Sequence, residues 1–173
     1  ISGLVLTSGA GTSISGPMLG KSFWVNPLVS LSSSAADKSL GLTSTPELNK
    51  KYREMLFTTP GIEDYISGVI LFDETIRQKS DEGVSFPHVL SGRGIIPGIK
   101  VDAGTKDLAL HQEEKVTEGL DGLRERLLEY KTFGAQFAKW RAVITIGQNI
   151  PTNACIHANA HALARYAALC QEA

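Results

Sequence analysis

Ile66-Ser67-Gly68-Val69-Ile70-Leu71-Phe72, followed at once by Asp73-Glu74, decides how the rest of this chain is read. The run is short, nearly all apolar and without alternation, the pattern of a strand buried on both faces. A second such run, Ile95-Ile96-Pro97-Gly98-Ile99-Lys100-Val101, has its proline near the start, where a missing N–H is tolerated. Upstream, Glu47 to Leu56 carries helix formers behind the cap candidates Ser44 and Thr45, with Pro46 near the first turn and Pro60-Gly61 to stop it. Downstream, Leu120, Leu123, Leu127 and Tyr130 fall on one face of a helix that Gly134 can end. Phe137 to Ile146 reads as a third strand, and Pro151-Thr152-Asn153 opens an Ala-rich helix to about Cys170. Strands alternating with helices predict an α/β protein with a parallel sheet.

The composition agrees. The 173 residues are 42% hydrophobic and 20% charged, enough for one domain with a core, and the net charge is −1. That balance gives no general case for nucleic-acid or membrane binding, and no run approaches the roughly 18 apolar residues of a membrane helix. If Cys155 and Cys170 share the last helix they stand about 22 Å apart, too far for a disulfide, and read as reduced thiols of an intracellular, cytoplasmic protein. Residues 1–42 differ: rich in Ser and Gly, with Lys21, Asp37 and Lys38 as their charges, they read as a linker-like or corrupted segment before a domain at 43–173. Their lack of Arg argues against a transit peptide, and a first residue of Ile1 suggests a fragment.

The informative anomaly is the placing of charge. Strand side chains alternate, so Lys100 and Asp102 share a face, as do Lys139 and Arg141, while Asp73 and Glu74 close the strand before them. In a parallel barrel such strand ends converge on one rim, where active sites lie. Two readings follow. The cations bind an anionic substrate, Arg141 forking onto phosphate oxygens and cationic neighbours lowering a lysine's pKa. Alternatively they pair with Asp73 and Asp102 as an internal salt-bridge layer.

Other leads are weaker. Ser15-Gly16-Pro17-Met18-Leu19-Gly20-Lys21-Ser22 nearly spells a phosphate loop, but its first glycine is Ser15 and Pro17 sits inside. His157 and His161 have zinc-ligand spacing without a Glu between them or an obvious third ligand. His88 and His111 lie in loop-like sequence, and Phe72, Phe137 and Trp140 read as core rather than as a base-stacking platform.

Six ordered stretches resemble the class I, Schiff-base-forming fructose-bisphosphate aldolases: Lys51-Tyr52-Arg53-Glu54-Met55-Leu56, Tyr65 to Thr75, Gly94 to Asp102, Gly119-Leu120-Asp121-Gly122-Leu123, Phe137-Ala138-Lys139-Trp140-Arg141 and Leu163-Ala164-Arg165-Tyr166-Ala167. Phe72-Asp73-Glu74-Thr75-Ile76 and Gly122-Leu123-Arg124-Glu125-Arg126 look closest to the bacterial branch. The resemblance implies a (β/α)₈ barrel, of which residues 43–173 would be roughly strands two to four. It also implies reversible cleavage of fructose 1,6-bisphosphate to dihydroxyacetone phosphate and glyceraldehyde 3-phosphate through a lysine imine. No metal or other cofactor is implied, and the partners implied are a sugar phosphate and, for the full-length family, other copies in a tetramer. Nucleic acid and membrane are not expected. Lys139 matches the family's lysine that assists C–C cleavage, Arg141 its phosphate-side arginine, and Lys100 a lysine that shapes the site.

The departures set further expectations. Ala35-Ala36-Asp37-Lys38-Ser39 echoes the first-strand motif, which makes Asp37 the candidate for the family's essential aspartate, although it stands closer to Tyr52 than the family spacing. The basic residue expected just before Tyr52 falls on Asn49. The imine lysine and the Glu-x-Glu acid/base pair have no match, so the chain alone is expected to be inactive on fructose 1,6-bisphosphate and, with unpaired sheet edges, to self-associate. The alternatives are a catalytically dead half-barrel that binds a sugar phosphate or a partner chain, and a fragment or mispredicted product without an independent role.

Overall fold

The computed structural model describes residues 45–173 and, as backbone, a strand at Leu4–Gly9. Asp37 and the Ser15–Ser22 near-motif lie outside the described residues. The chain forms two compact units, which among the described residues are residues 45–99 with Phe133–Gln136, and Lys100–Thr132 and Phe137–Ala173 with the strand Leu4–Gly9.

In the first unit, helix α1 (Pro46–Thr58) begins where the sequence places it. Thr45 is its N-cap, accepting from the N–H of Leu48, and Pro46 opens the first turn. Strand β2 (Gly68–Leu71) runs parallel to β3 (Ile96–Lys100) from the pair Gly68–Ile96 to the pair Leu71–Ile99, as the apolar runs predict. Two details differ. Val69 and Leu71 are buried but Gly68 and Ile70 only partly, so β2 buries one face rather than two. Asp73 and Glu74 do not end the strand; they form the first turn of helix α2 (Asp73–Ile76), where carboxylates meet unsatisfied N–H groups and a favourable dipole. Helix α3 (Phe86–Ser91) follows, with Pro87 in its first turn, and Phe86 meets Phe57 of α1 edge-on, ring centres 5.2 Å apart.

In the second unit, β1 (Leu4–Gly9) pairs antiparallel with β6 (Phe137–Ala142), from Leu4 opposite Ala142 to Gly9 opposite Phe137. That pairing is one an all-parallel reading does not contain, within a segment that composition reads as linker-like. An antiparallel pair of polar strands, β4 (Gly104–Asp107) and β5 (Lys115–Glu118), was also not foreseen. Neither strand alternates between buried and exposed residues, so no period marks it. Strand β6 stops at Ala142, short of the predicted Ile146. Residues 143–146 have the β-branched composition of a strand, but a strand also needs a pairing neighbour. Helix α4 (Leu123–Thr132) starts after Leu120, and Gly134 adopts a φ of 100° just beyond it. Helix α5 (Asn153–Glu172) is capped by Thr152, which accepts from the N–H of Cys155. Cys155 and Cys170 are both buried on it and unbridged. The core of this unit is Trp140 against Tyr166, ring centres 5.4 Å apart, with Leu123, Leu127, Tyr130 and Val101.

Candidate functional site

Strand β6 places its functional residues by alternation. Ala138, Trp140 and Ala142 turn into the core, which puts Lys139 and Arg141 together on the other face. The backbone just after β3 lies alongside, Val101 donating its N–H to the carbonyl of Lys139 at 3.1 Å. Two residues apart, Lys100 and Asp102 then face the same side as Lys139.

Asp102 is the centre of the group. Its side chain is 2% exposed, and one oxygen is 2.6 Å from Nζ of Lys100 while the other is 3.4 Å from Nζ of Lys139. That second oxygen also accepts the backbone N–H of Arg141 at 3.2 Å. Lys100 donates in addition to the carbonyl of Asp102 at 2.7 Å. The carbonyl of Arg141 accepts from the hydroxyl of Thr117 on β5 at 2.7 Å. Arg141 is thus held at both backbone groups while its side chain is exposed.

The segment carrying Asp102 is clamped as well. Ala103 donates its N–H to the carbonyl of Glu118 at 2.8 Å, and Arg126 of α4 donates to the carbonyls of Val101 and Gly119. Gly119, at a φ of 127°, lies so close that a Cβ there would stand 2.8 Å from the amide nitrogen of Ala103. Burial draws the pKa of Lys139 below the usual lysine value; Asp102 opposes the shift, and Lys100 and then Arg141 add to it. The direction is the one expected from sequence, but burial rather than cationic neighbours is its chief cause.

The salt-bridge reading of the cations holds in part. Asp102 does pair with Lys100 and Lys139, whereas Asp73 pairs with Arg77 at 2.9 Å instead. Lys100 and Lys139 share one carboxylate and the charge of Arg141 also acts on Lys139, which leaves an excess of positive charge, and the exposed guanidinium of Arg141 can fork onto an anion. His157 and His161 are exposed on α5, and among the described residues no three His, Cys, Asp or Glu side chains gather as a metal site would require. Nδ1 of His88 lies 3.0 Å from the hydroxyl of Ser85, and Nδ1 of His111 lies 2.9 Å from the carbonyl of Ala109.

A polar cluster that the sequence does not reveal lies at the start of α5. Buried Glu114 accepts from the N–H and hydroxyl of Thr152, and buried Asn159 donates to the carbonyls of Lys115 and Cys155. Its only sequence signal is a cap residue, Thr152, and the partner Glu114 stands 38 positions away.

The α/β order with its parallel β2–β3 pairing belongs to a fold that matches a solved structure. The ternary co-crystal structure of fructose-bisphosphate aldolase from Plasmodium falciparum, in complex with TRAP and a small molecule inhibitor, superposes with a TM-score of 0.81 at 44% identity, over 88% of this chain and 44% of that one. The fold is that of the aldolase (β/α)₈ barrel family, over the part this chain covers. The family model for class-I fructose-bisphosphate aldolase matches residues 32–173, and the chain belongs to that family. A protein of Xanthomonas campestris pv. campestris named "Probable fructose-bisphosphate aldolase class 1" is 65% identical over 77% of this chain, and the cytosolic fructose-bisphosphate aldolase 6 of Arabidopsis thaliana 51% identical over 78%. The chain spans about 40% of the length of these curated relatives.

Proposed function

We propose that this chain supplies the phosphate-binding and lysine-assisted side of a class I aldolase site, for reversible cleavage of fructose 1,6-bisphosphate to dihydroxyacetone phosphate and glyceraldehyde 3-phosphate. The observation that carries the reading is that the buried carboxylate of Asp102 holds the ammonium groups of Lys100 and Lys139 and the backbone N–H of Arg141, the three basic residues of the family pattern. Arg141 binds a substrate phosphate, with its backbone immobilised so that the guanidinium is aimed. Lys139 touches the sugar and meets the charge that develops as the C–C bond breaks, and Lys100 shapes the same wall. Asp37, inside the span that matches the family, is proposed as the first-strand aspartate.

Lys139 is assigned an assisting role because it matches the family's assisting lysine, and the chain by itself is expected not to turn over. A cytosolic setting is proposed from the cytosolic Arabidopsis relative, and assembly into a homo-oligomer from the family resemblance alone. The second reading, a half-barrel that binds sugar phosphate without cleaving it, is favoured by the exposed guanidinium of Arg141 beside Lys139 and Lys100.

The test is to join residues 45–173 to the remaining part of the Xanthomonas relative and assay triose phosphate release, with the chain alone incubated with dihydroxyacetone phosphate and borohydride in parallel. Turnover by the joined protein that Lys139→Ala removes, with no adduct on the chain alone, is expected. A folded joined protein that binds the bisphosphate but never cleaves it would leave the binding-only reading in place. A stoichiometric adduct on Lys100 or Lys139 of the chain alone would make one of them the imine lysine and overturn the assisting role.

A further inference from the structure

We propose that Asp102 is the positioning residue of this site, its buried carboxylate a shared anchor that sets the Lys100 and Lys139 ammonium groups and the backbone of Arg141 in register before an anionic substrate arrives. The assignment rests on the aldolase reading for the nature of the substrate and on geometry alone for the anchoring.

Three observations support it. The two carboxylate oxygens divide the work, one against Lys100 at 2.6 Å and the other between Lys139 at 3.4 Å and the Arg141 N–H at 3.2 Å. A carboxylate that served one lysine would need neither this split nor near-complete burial. Its own segment is held on both sides by the Val101–Lys139 and Ala103–Glu118 backbone bonds, by Arg126, and by the close approach of Gly119, so the oxygens have little freedom to follow a wandering side chain. Among the described residues, the charged groups that act on Lys139 are Asp102 and Lys100 from the end of β3 and Arg141 from its own strand. Without Asp102, Lys139 would keep its burial and both cationic neighbours and lose its counter-charge, so the ammonium would give up its proton at lower pH and the like charges would spread apart.

The experiment is made on the full chain, by the pH dependence of Lys139 acetylation with acetic anhydride, read by peptide mass spectrometry, with exposed Lys106 as reagent control. In Asp102→Asn the midpoint for Lys139 should fall by about one pH unit or more, and Asp102→Glu should restore most of it. An Asp102→Asn chain with native near-ultraviolet dichroism from buried Trp140 and an unmoved Lys139 midpoint would overturn the proposal. Lys100→Met provides a second reading should Asp102→Asn not fold: it removes a like charge and the competitor for the same carboxylate, so the Lys139 midpoint should rise. A midpoint that stays or falls there rejects the shared anchor. In the joined protein, Asp102→Asn should lower kcat about tenfold or more, with the alkaline limb of the pH–rate profile displaced in the direction of the labelling. A labelling shift in a joined protein that never cleaves would sustain Asp102 and overturn the aldolase reading. Normal cleavage with unmoved labelling would do the reverse.

Discussion

The carboxylate of Glu114 accepts two hydrogen bonds from Thr152, from its backbone N–H at 2.6 Å and from its hydroxyl at 2.7 Å. The pair fastens the residue before β5 to the cap of α5, the helix whose Tyr166 backs Trp140. Burial pushes the Glu114 carboxyl up, but the bonds from Thr152, with the thiol of Cys155, outweigh it and leave its pKa below the ordinary 4.5. A carboxylate depressed in the folded state stabilises fully above its unfolded value, and that contribution is lost as the pH falls through the folded one. The urea midpoint of the chain should therefore drop as the pH is lowered below about 4.5, and Glu114→Gln should start lower at neutral pH and fall less steeply in that window. Parallel curves for the two chains would show that Glu114 carries no such linkage.

Tyr166 donates its hydroxyl to the carbonyl of Ala138 at 2.7 Å inside the core of the second unit. Tyr166→Phe keeps the ring against Trp140 and removes that donor from the buried carbonyl. A loss of about 1–2 kcal/mol in urea unfolding is expected. A change below a few tenths would mean that the carbonyl finds another donor.

Gly119→Ala tests the clamp under Asp102. The new methyl would meet the backbone of Ala103 at a φ that side chains rarely adopt, so the chain should lose about 1–3 kcal/mol of stability. The displaced segment should also shift the Lys139 labelling midpoint. Alanine tolerated without either effect would show that residues 101–103 have slack.

Arg141→Ala should weaken binding of fructose 1,6-bisphosphate to the chain on the order of tenfold or more, and weaken a singly phosphorylated sugar less. Titration calorimetry with both ligands reads the difference. Equal losses would place the guanidinium away from the second phosphate.

Lys139→Ala in the joined protein should reduce kcat by a hundredfold or so while KM changes little, because a cation that meets developing charge acts chiefly in the transition state. Since the folded environment draws the Lys139 pKa below 10.5, the ammonium is lost at lower pH than that of an ordinary lysine. The kcat profile of the unmutated protein should show that early alkaline limb. A large rise in KM at constant kcat would assign Lys139 to ground-state binding instead.

The candidate site was legible in the sequence to the extent that strand alternation governs it. Lys100 with Asp102, and Lys139 with Arg141, share faces because side chains on a strand repeat every two residues, a property of the chain before it folds. The caps Thr45 and Thr152 and the stop beyond Thr132 were legible for the same reason, since caps act over three or four residues. Hidden were the things two distant segments settle together. Asp73 and Asp102 stand alike beside apolar runs, yet Asp73 turns into a helix and meets Arg77 while Asp102 meets Lys139, 37 positions on. Polar β4 and β5 pair only through each other, and Glu114 becomes a buried anchor only where Thr152 arrives. Residues 143–146 have strand composition and no strand, because a β ladder requires a neighbour that local preference cannot supply. Local spacing determines which side chains can face one way; which of them are buried, paired and shifted in charge is decided by the long-range contacts that remove water from around them.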